Sequence, residues 1–442
     1  MTEGSGISLA EALNKAKLGR FQIQIMAICF AVAMLDGFDT QSIAFVAPAL
    51  KTIWAVPAGE FGVLFSAGLF GTMLGAIGLG ALADRVGRKT IIVISVLTFS
   101  VMSLLSATAS STEELIVYRF ITGLGLGGAI PNIIALTSEY APTAVRTTVV
   151  TVMFTGFPLG AVLGGIVSAQ LLAVYGWPSV FLLGGILPLL LLPVILLWLP
   201  ESVRYLAVRR KQGARVAAIM QRIDPGIDWN MPRPTHPDEK ARPPHTVRDL
   251  FTEGRTAWTL LLWTLVFMSL LLTYFLVSWI PSLLADAGLG HREAVLGVVV
   301  LNIGGIVGSV VIGRISDRYG QFAPLVAGYG IGALAVAAIG VSTYSVPVVM
   351  AVIFIAGFCV LGAQLALAAL SAKHYPTYMR STGVGWAMGL GRVGSVVGPV
   401  IGGALLAYGL GQGPLFVAAA VPAAIAAVTI FAMSFKVPPR TG

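Results

Sequence analysis

Two charged turns decide how this chain folds: Gly80-Ala81-Leu82-Ala83-Asp84-Arg85-Val86-Gly87-Arg88-Lys89 and Gly313-Arg314-Ile315-Ser316-Asp317-Arg318-Tyr319-Gly320. Each follows a long apolar run, and each sets Gly, Asp-Arg and a second Gly at the same spacing. Tyr140-Ala141-Pro142-Thr143-Ala144-Val145-Arg146 likewise returns as His374-Tyr375-Pro376-Thr377-Tyr378-Met379-Arg380. Gly160-x-x-x-Gly164-Gly165 returns as Gly394-x-x-x-Gly398-Pro399. All three pairs fall at nearly one offset, from 84 to 317, 146 to 380 and 164 to 398. Chance likeness between apolar stretches does not keep such a register, so the chain is a duplicated unit. A working site is expected where the two copies meet, near mid-membrane.

What surrounds the turns sets the class. Of 442 residues, 57% are hydrophobic and 11% charged, whereas soluble domains carry about 25% charged residues. Apolar runs long enough for a ~30 Å hydrocarbon core, roughly 20 residues of helix, recur about a dozen times in two groups of about six. The prediction is an all-α membrane protein: twelve transmembrane helices in two pseudo-symmetric six-helix bundles, spans 1 to 6 over about 21–199 and spans 7 to 12 over about 256–435. That divides the chain into 1–199, a linker at 200–255, and 256–442. The linker gathers Pro232, Pro234, Pro237, Pro243 and Pro244 with mixed charge, too polar to bury a core of its own; one short amphipathic helix is expected near Ser202–Ile223.

Net charge is +9, but its placement says more than its total. With the N-terminus cytoplasmic, one side holds Lys15, Lys17, Arg20, Arg85, Arg88, Lys89, Arg146, the linker bases, Arg314, Arg318, Lys373, Arg380, Lys436 and Arg440. The other holds only Lys51 and Arg292. This positive-inside pattern predicts cytoplasmic termini in a bacterial inner membrane and gives no reason to expect nucleic acid. The run from Phe21 to Ala49 is too long for a signal peptide and reads as the first span. Cys29 and Cys359 lie inside apolar runs without paired spacing or nearby His, so neither a disulfide framework nor a metal site is expected. Gly123-x-Gly125-x-x-Gly128 fits a dinucleotide fingerprint, but sits inside an apolar helix with no strand before it. No cofactor follows from it; small residues there let helices approach.

The turn after span 2, with its degenerate copy after span 8, resembles the signature of the major facilitator superfamily. Three further stretches are similar to the aromatic acid:proton symporter family: Leu35-Asp36-Gly37-Phe38-Asp39-Thr40-Gln41 with Phe45-Val46-Ala47-Pro48, Arg119 through Gly123, Gly125, Gly127, Gly128 to Pro131-Asn132, and Gly383-Val384-Gly385-Trp386 through Gly391-Arg392. The likeness covers nearly the whole chain outside the linker. It implies a proton-coupled symporter that imports a benzoate-like or hydroxybenzoate-like acid. Ser269 and Ala368 stand where that family often has asparagine, which bears on substrate preference.

Ionisable groups at lipid depth are costly and few here. Asp36 and Asp39 are three residues apart on span 1, and Arg119 reaches a comparable depth on span 4. One reading makes them the proton-coupling group, since burial favours a neutral carboxyl and a nearby guanidinium the ionised one. The other makes them a permanent ion pair locking spans 1 and 4. Arg392, about a dozen residues into span 11, has no acid in its own span, and its planar fork suits a carboxylate. It is the leading substrate ligand; alternatively it bonds helix carbonyls or Gln364. Phe38, Phe157, Tyr274, Trp279 and Trp386 are candidates to stack on a ring, and Gln364 and Asn132 to bond a ring hydroxyl, with helix packing the competing role for each. The turn residues Asp84, Arg85, Gly87 and Arg88, with Glu139, Arg146 and Asp317, are expected to form a conformational latch, against plain topology-setting charge.

The expected function is therefore import of a small aromatic carboxylate with protons by a monomer in the lipid bilayer, without enzymatic activity. An exporter or carrier of another organic anion on the same scaffold stays open, and so does a membrane sensor, though nothing in the linker resembles an output domain.

Overall fold

The computed structural model describes residues 18–208, 213–223, 247–252, 254–375 and 379–435, and of residues 208, 368–369, 371–374 and 380–381 the backbone alone. Lys15, Lys17, Lys436, Arg440, the linker prolines and the Ala368 side chain lie outside that description. In hydrocarbon no water is available to the backbone, so an apolar run must satisfy its own N–H and C=O groups, and a helix does so within one segment. Twelve helices among the described residues are long and apolar enough to cross a membrane. They are α1 Arg20–Trp54, α2 Ala58–Val86, α3 Arg88–Ser106, α4 Thr112–Tyr140, α5 Arg146–Tyr175, α6 Pro178–Trp198, α7 Thr256–Asp286, α8 His291–Tyr319, α9 Phe322–Ile339, α10 from Val346, α11 Arg380–Ala407 and α12 Gln412–Ser434. Two are irregular. α5 is interrupted at Thr155, and α10 runs as Val346–Ala356, a π-helical turn Gly357–Leu361, and Gly362–His374.

Local chemistry explains where several helices begin and end. Ser111 caps α4 by accepting the Glu114 N–H at 3.3 Å, with Glu113 and Glu114 in the positive first turn. Gly87 turns the chain from α2 to α3 at φ +107°, a conformation that disfavours any side chain. In the linker, where an amphipathic helix is expected near Ser202–Ile223, the described residues are helical at Val203–Val208 and Gly213–Ile223, residues 209–212 lying outside the description; a 3-10 turn spans Val247–Phe251.

The duplication seen in the sequence is visible in the packing. α1 packs on α5 as α7 packs on α11, α2 on α4 as α8 on α10, and α3 on α6 as α9 on α12. Close approach of α2 and α4 depends on glycine: a Cβ at Gly71, Gly75, Gly123 or Gly127 would run into the facing backbone. Gly304, Gly308 and Gly357 play the same part between α8 and α10. The fingerprint-like glycines of α4 thus serve helix packing.

The first six and last six helices meet through α2 with α11, α5 with α8, and α1 with α7 and α8. One end of this seam is closed. Gly62 lies against Pro399 and Gly403, the Ser66 hydroxyl donates to Val396 O at 2.6 Å, and Phe65 meets Trp279 edge-on at 5.3 Å. Gln41 and Asn302 exchange amide hydrogen bonds of 3.0 and 3.3 Å, and Lys51 pairs with Asp286 at 2.6 Å. All these residues belong to the end where α1 turns into α2. The Asp84–Lys89 turn lies at the other.

Candidate functional site

α1 carries two buried acids, Asp36 and Asp39, and they face different surroundings. Asp39 is fully buried and points into the first six helices. Arg119 of α4 reaches it with Nη1 at 3.2 and 3.3 Å from the two carboxylate oxygens, while Nη2 donates to Asp39 O at 2.8 Å. Ser103 of α3 adds a hydroxyl at 2.9 Å. The guanidinium lies 5.6 Å from the centre of the Phe181 ring on α6. Gly184 leaves the room, since a Cβ there would crowd Ser103 Oγ and Asp39 Oδ1. The pair therefore ties α1, α3, α4 and α6 together within one half.

Asp36, one turn earlier, is 2% exposed and is differently placed. Its Oδ1 accepts the hydroxyl of Thr40 from its own helix at 3.2 Å, and its Oδ2 is buried with no hydrogen-bond partner. The charge it feels from outside the first half is that of Arg392 on α11, and both act on Tyr274 of α7. Arg392 and Tyr274 are half-buried. An acid on α1, a base on α11 and a phenol on α7 thus lie within electrostatic reach of one another across the seam, the acid with an oxygen that has no hydrogen-bond partner. A base held near an incompletely satisfied acid at this depth suits a charge that arrives and leaves, since a permanent buried ion requires full pairing.

The remaining candidates are spread out. Phe38 is buried against Gly164 of α5, within the first half. Asn132 donates to Gly128 O of its own helix at 2.8 Å. Gln364 is half-buried, three residues beyond the π-helical turn of α10. Trp386 is 46% exposed and stacks on Trp263 at 6.3 Å. Phe157 stacks on Phe154 at 6.1 Å. Trp279 donates to Pro399 O at 3.0 Å, at the closed end. Ser269 is bonded to Tyr329 of α9 at 2.6 Å, inside the second half.

At the turn after α2, Arg88 pairs with buried Glu139 at 2.6 Å. Glu139 also accepts the Ser202 hydroxyl at 2.7 Å and the Arg204 N–H at 2.8 Å. Glu201 accepts the Lys89 N–H at 3.0 Å and the Ser202 N–H at 2.8 Å, and Tyr140 donates to its carbonyl at 2.7 Å. Tyr205 donates to Arg85 O at 3.3 Å, and Gly87 lies against Glu201. Arg146 bonds Ala141 O at 3.3 and 3.4 Å, at the end of α4. Asp84 and Asp317 are exposed. Arg85, Gly87, Arg88 and Glu139 are thus brought together within the first half, with Glu201 and Ser202 as members that sequence reasoning had assigned to the linker. An acid directly after the sixth span, facing a basic turn, was the available signal. The Gln41–Asn302 bridge was also missed, although an asparagine within an apolar run pointed to it.

A duplicated bundle of twelve apolar helices with ionisable groups buried beside the seam of its halves has the architecture of a multi-pass membrane transporter. The chain belongs to the Major Facilitator Superfamily, whose model matches residues 29–391. It is 38% identical to the 4-hydroxybenzoate transporter PcaK of Pseudomonas putida, over 97% of this chain and 96% of that one. It is 39% identical to a gallate transporter of the same species, over 96% and 95%. These homologues are aromatic acid transporters and not enzymes, in agreement with the family resemblance read from the sequence. In fold it is similar to a bacterial homolog of the human lysosomal transporter Spinster, with a TM-score of 0.74 at 19% identity, over 96% of this chain and 100% of that one.

Proposed function

We propose that the protein imports a small aromatic carboxylate of the hydroxybenzoate or benzoate kind together with protons, by alternating access. The observation that carries this reading is Asp36, buried with one carboxylate oxygen lacking a hydrogen-bond partner, within electrostatic reach of Arg392 and Tyr274 from the other half. The names of the relatives support the cargo class, 4-hydroxybenzoate and gallate among them.

The chemistry runs as follows. With Asp36 ionised, its carboxylate competes with the cargo for Arg392. A proton on Asp36 removes that competitor, and the guanidinium fork then receives the cargo carboxylate. Tyr274 offers a ring face and a hydroxyl beside it. Proton and anion are thereby bound together. Release of the cargo frees Arg392 to draw the proton off Asp36. The 1–199 and 256–442 bundles, joined by the 200–255 linker, rock about this point. The closed end, with Gln41–Asn302 and Lys51–Asp286, faces the periplasm in the orientation that the basic loops favour.

Uptake of radiolabelled 4-hydroxybenzoate, gallate and benzoate into vesicles tests the reading. Accumulation of at least one that collapses with an uncoupler is the expected result. Accumulation indifferent to the uncoupler would overturn proton coupling, and no uptake of any aromatic acid would overturn the cargo.

A further inference from the structure

Away from the seam, the Gly213–Ile223 helix lies under the ends of α3 and α6, with Ala217 and Met220 buried. Between these elements is a cavity of about 800 Å³. Lys89, Arg215 and Arg222 line it, against one acid, Glu201, whose Oε1 is already engaged by two backbone N–H groups. Lys89 Nζ spends one donor on Leu196 O at 2.7 Å. Arg222 lies 4.1 Å from the centre of the Phe21 ring. Both arginines are exposed. From Ser202 to Ile223 the sequence carries six bases and no acid.

Part of the remaining wall is apolar and outward-facing. Leu197 is 77% exposed and Trp198 55%, both on the cavity, and Leu190 above them is 67% exposed. A cationic rim on an apolar wall, at the end of a spanning helix, matches an anion that carries hydrocarbon. A free anion would satisfy the bases and leave the wall uncovered. We propose that this cavity binds the headgroup of an anionic phospholipid, with its acyl chains along Leu190, Leu197 and Trp198. Lys89, Arg215 and Arg222 take the phosphate, and the bound lipid braces the amphipathic helix against α3 and α6. This does not depend on which solute the seam carries.

The test uses the purified full-length protein in detergent, titrated with phosphatidylglycerol and with phosphatidylcholine of the same acyl chains and followed by native mass spectrometry. Phosphatidylglycerol is expected to bind the more tightly. Arg215→Gln should weaken it by about fivefold, and Arg215→Gln with Arg222→Gln by about 25-fold, at roughly one fivefold step per base. Phosphatidylcholine binding should not move, and Arg292→Gln, at the other end of the bundle, should change neither lipid. If the double variant melts early, the single exposed Arg215→Gln decides. Equal binding of the two lipids, or arginine variants that retain phosphatidylglycerol like the parent, would overturn the proposal. So would displacement of the lipid by millimolar inorganic phosphate, which would make this a site for free anions.

Discussion

Asp36 and Asp39 sit one turn apart on the same helix, yet they have opposite kinds of neighbour. Asp39 has a guanidinium on both oxygens, a serine hydroxyl and an Arg119 bond to its own carbonyl, all supplied from the first six helices. Asp36 has one hydroxyl from its own helix, an unbonded oxygen, and a base that comes from the other half. Two states of an alternating bundle differ in what lies across the seam and much less in what lies within a half. In the proposed cycle an acid satisfied inside one half keeps its partners, and an acid whose opposite charge lies across the seam has that charge approach and withdraw. In that cycle the first would hold helices together and the second would move the proton.

The sharpest break of this contrast is Asp36→Asn. The amide keeps the volume and the Thr40 contact but cannot take up and release a proton by ionising. Accumulation of labelled acid in energised vesicles should fall to a ratio of about one, as for a carrier that only equilibrates its cargo, while exchange of labelled for unlabelled acid continues. Its melting temperature should stay close to the parent's, since the substitution breaks no ion pair and no hydrogen bond between helices. Continued uphill accumulation would return the proton to Asp39 or to another group.

Asp39→Asn should do the reverse. Removing one member of a buried pair strands Arg119, at a cost of about 3–5 kcal/mol. A clear fall in melting temperature and in the amount of folded protein is expected, with proton-driven uptake kept per folded molecule. If Asp39→Asn were stable and uncoupled, the roles assigned to the two acids would have to be exchanged. Arg392→Lys keeps the charge and loses the fork. Apparent affinity for the acid should drop by roughly tenfold or more, since a hydrogen bond to a charged group contributes about 1.5–3 kcal/mol. Initial rates measured against substrate concentration would show it as a raised KM; an unchanged KM would remove Arg392 from the cargo.

This difference was not legible in the sequence, and the reason is geometrical. Residues three apart on a helix differ by about 60° in direction, little enough to read as one face. For a helix packed on every side, that angle separates α3 and α4 from α7 and α11. The fold itself was legible, because the Asp84 and Asp317 turns, the Arg146 and Arg380 stretches and the Gly164 and Gly398 runs repeat in register, and packing repeats with them. Phe38 stands out in the sequence as a candidate for the ring because aromatic residues show their chemistry there and hide their direction. Its ring rests on Gly164, a contact that needs the α1–α5 seam to be known. Glu201 was passed over because a helix end and a linker start look alike until the turn after α2 folds back on them.

The smallest of the expected effects bears on the closed end, where the contrast between contacts within a half and contacts across the seam can be tested without touching a charge. Gln41 and Asn302 exchange two hydrogen bonds between α1 and α8, and any opening of that end must break both. Hydrogen bonds between helices in a bilayer contribute about 0.6 kcal/mol on average and at most about 1.7, so losing this bridge should shift the balance of the two states by roughly threefold to less than twentyfold. Gln41→Leu would leave the Asn302 amide without its partner and should favour the state in which water reaches it. A cysteine placed at Gly59, beside α11 at the closed end, should then react faster with a membrane-impermeant thiol reagent by a similar factor. In Ser103→Ala, which alters the Asp39 cluster inside one half, that reactivity should stay as in the parent. Equal acceleration in both variants would mean that the first half flexes internally as the end opens, and the distinction between a holding acid and a moving one would then lose its structural basis.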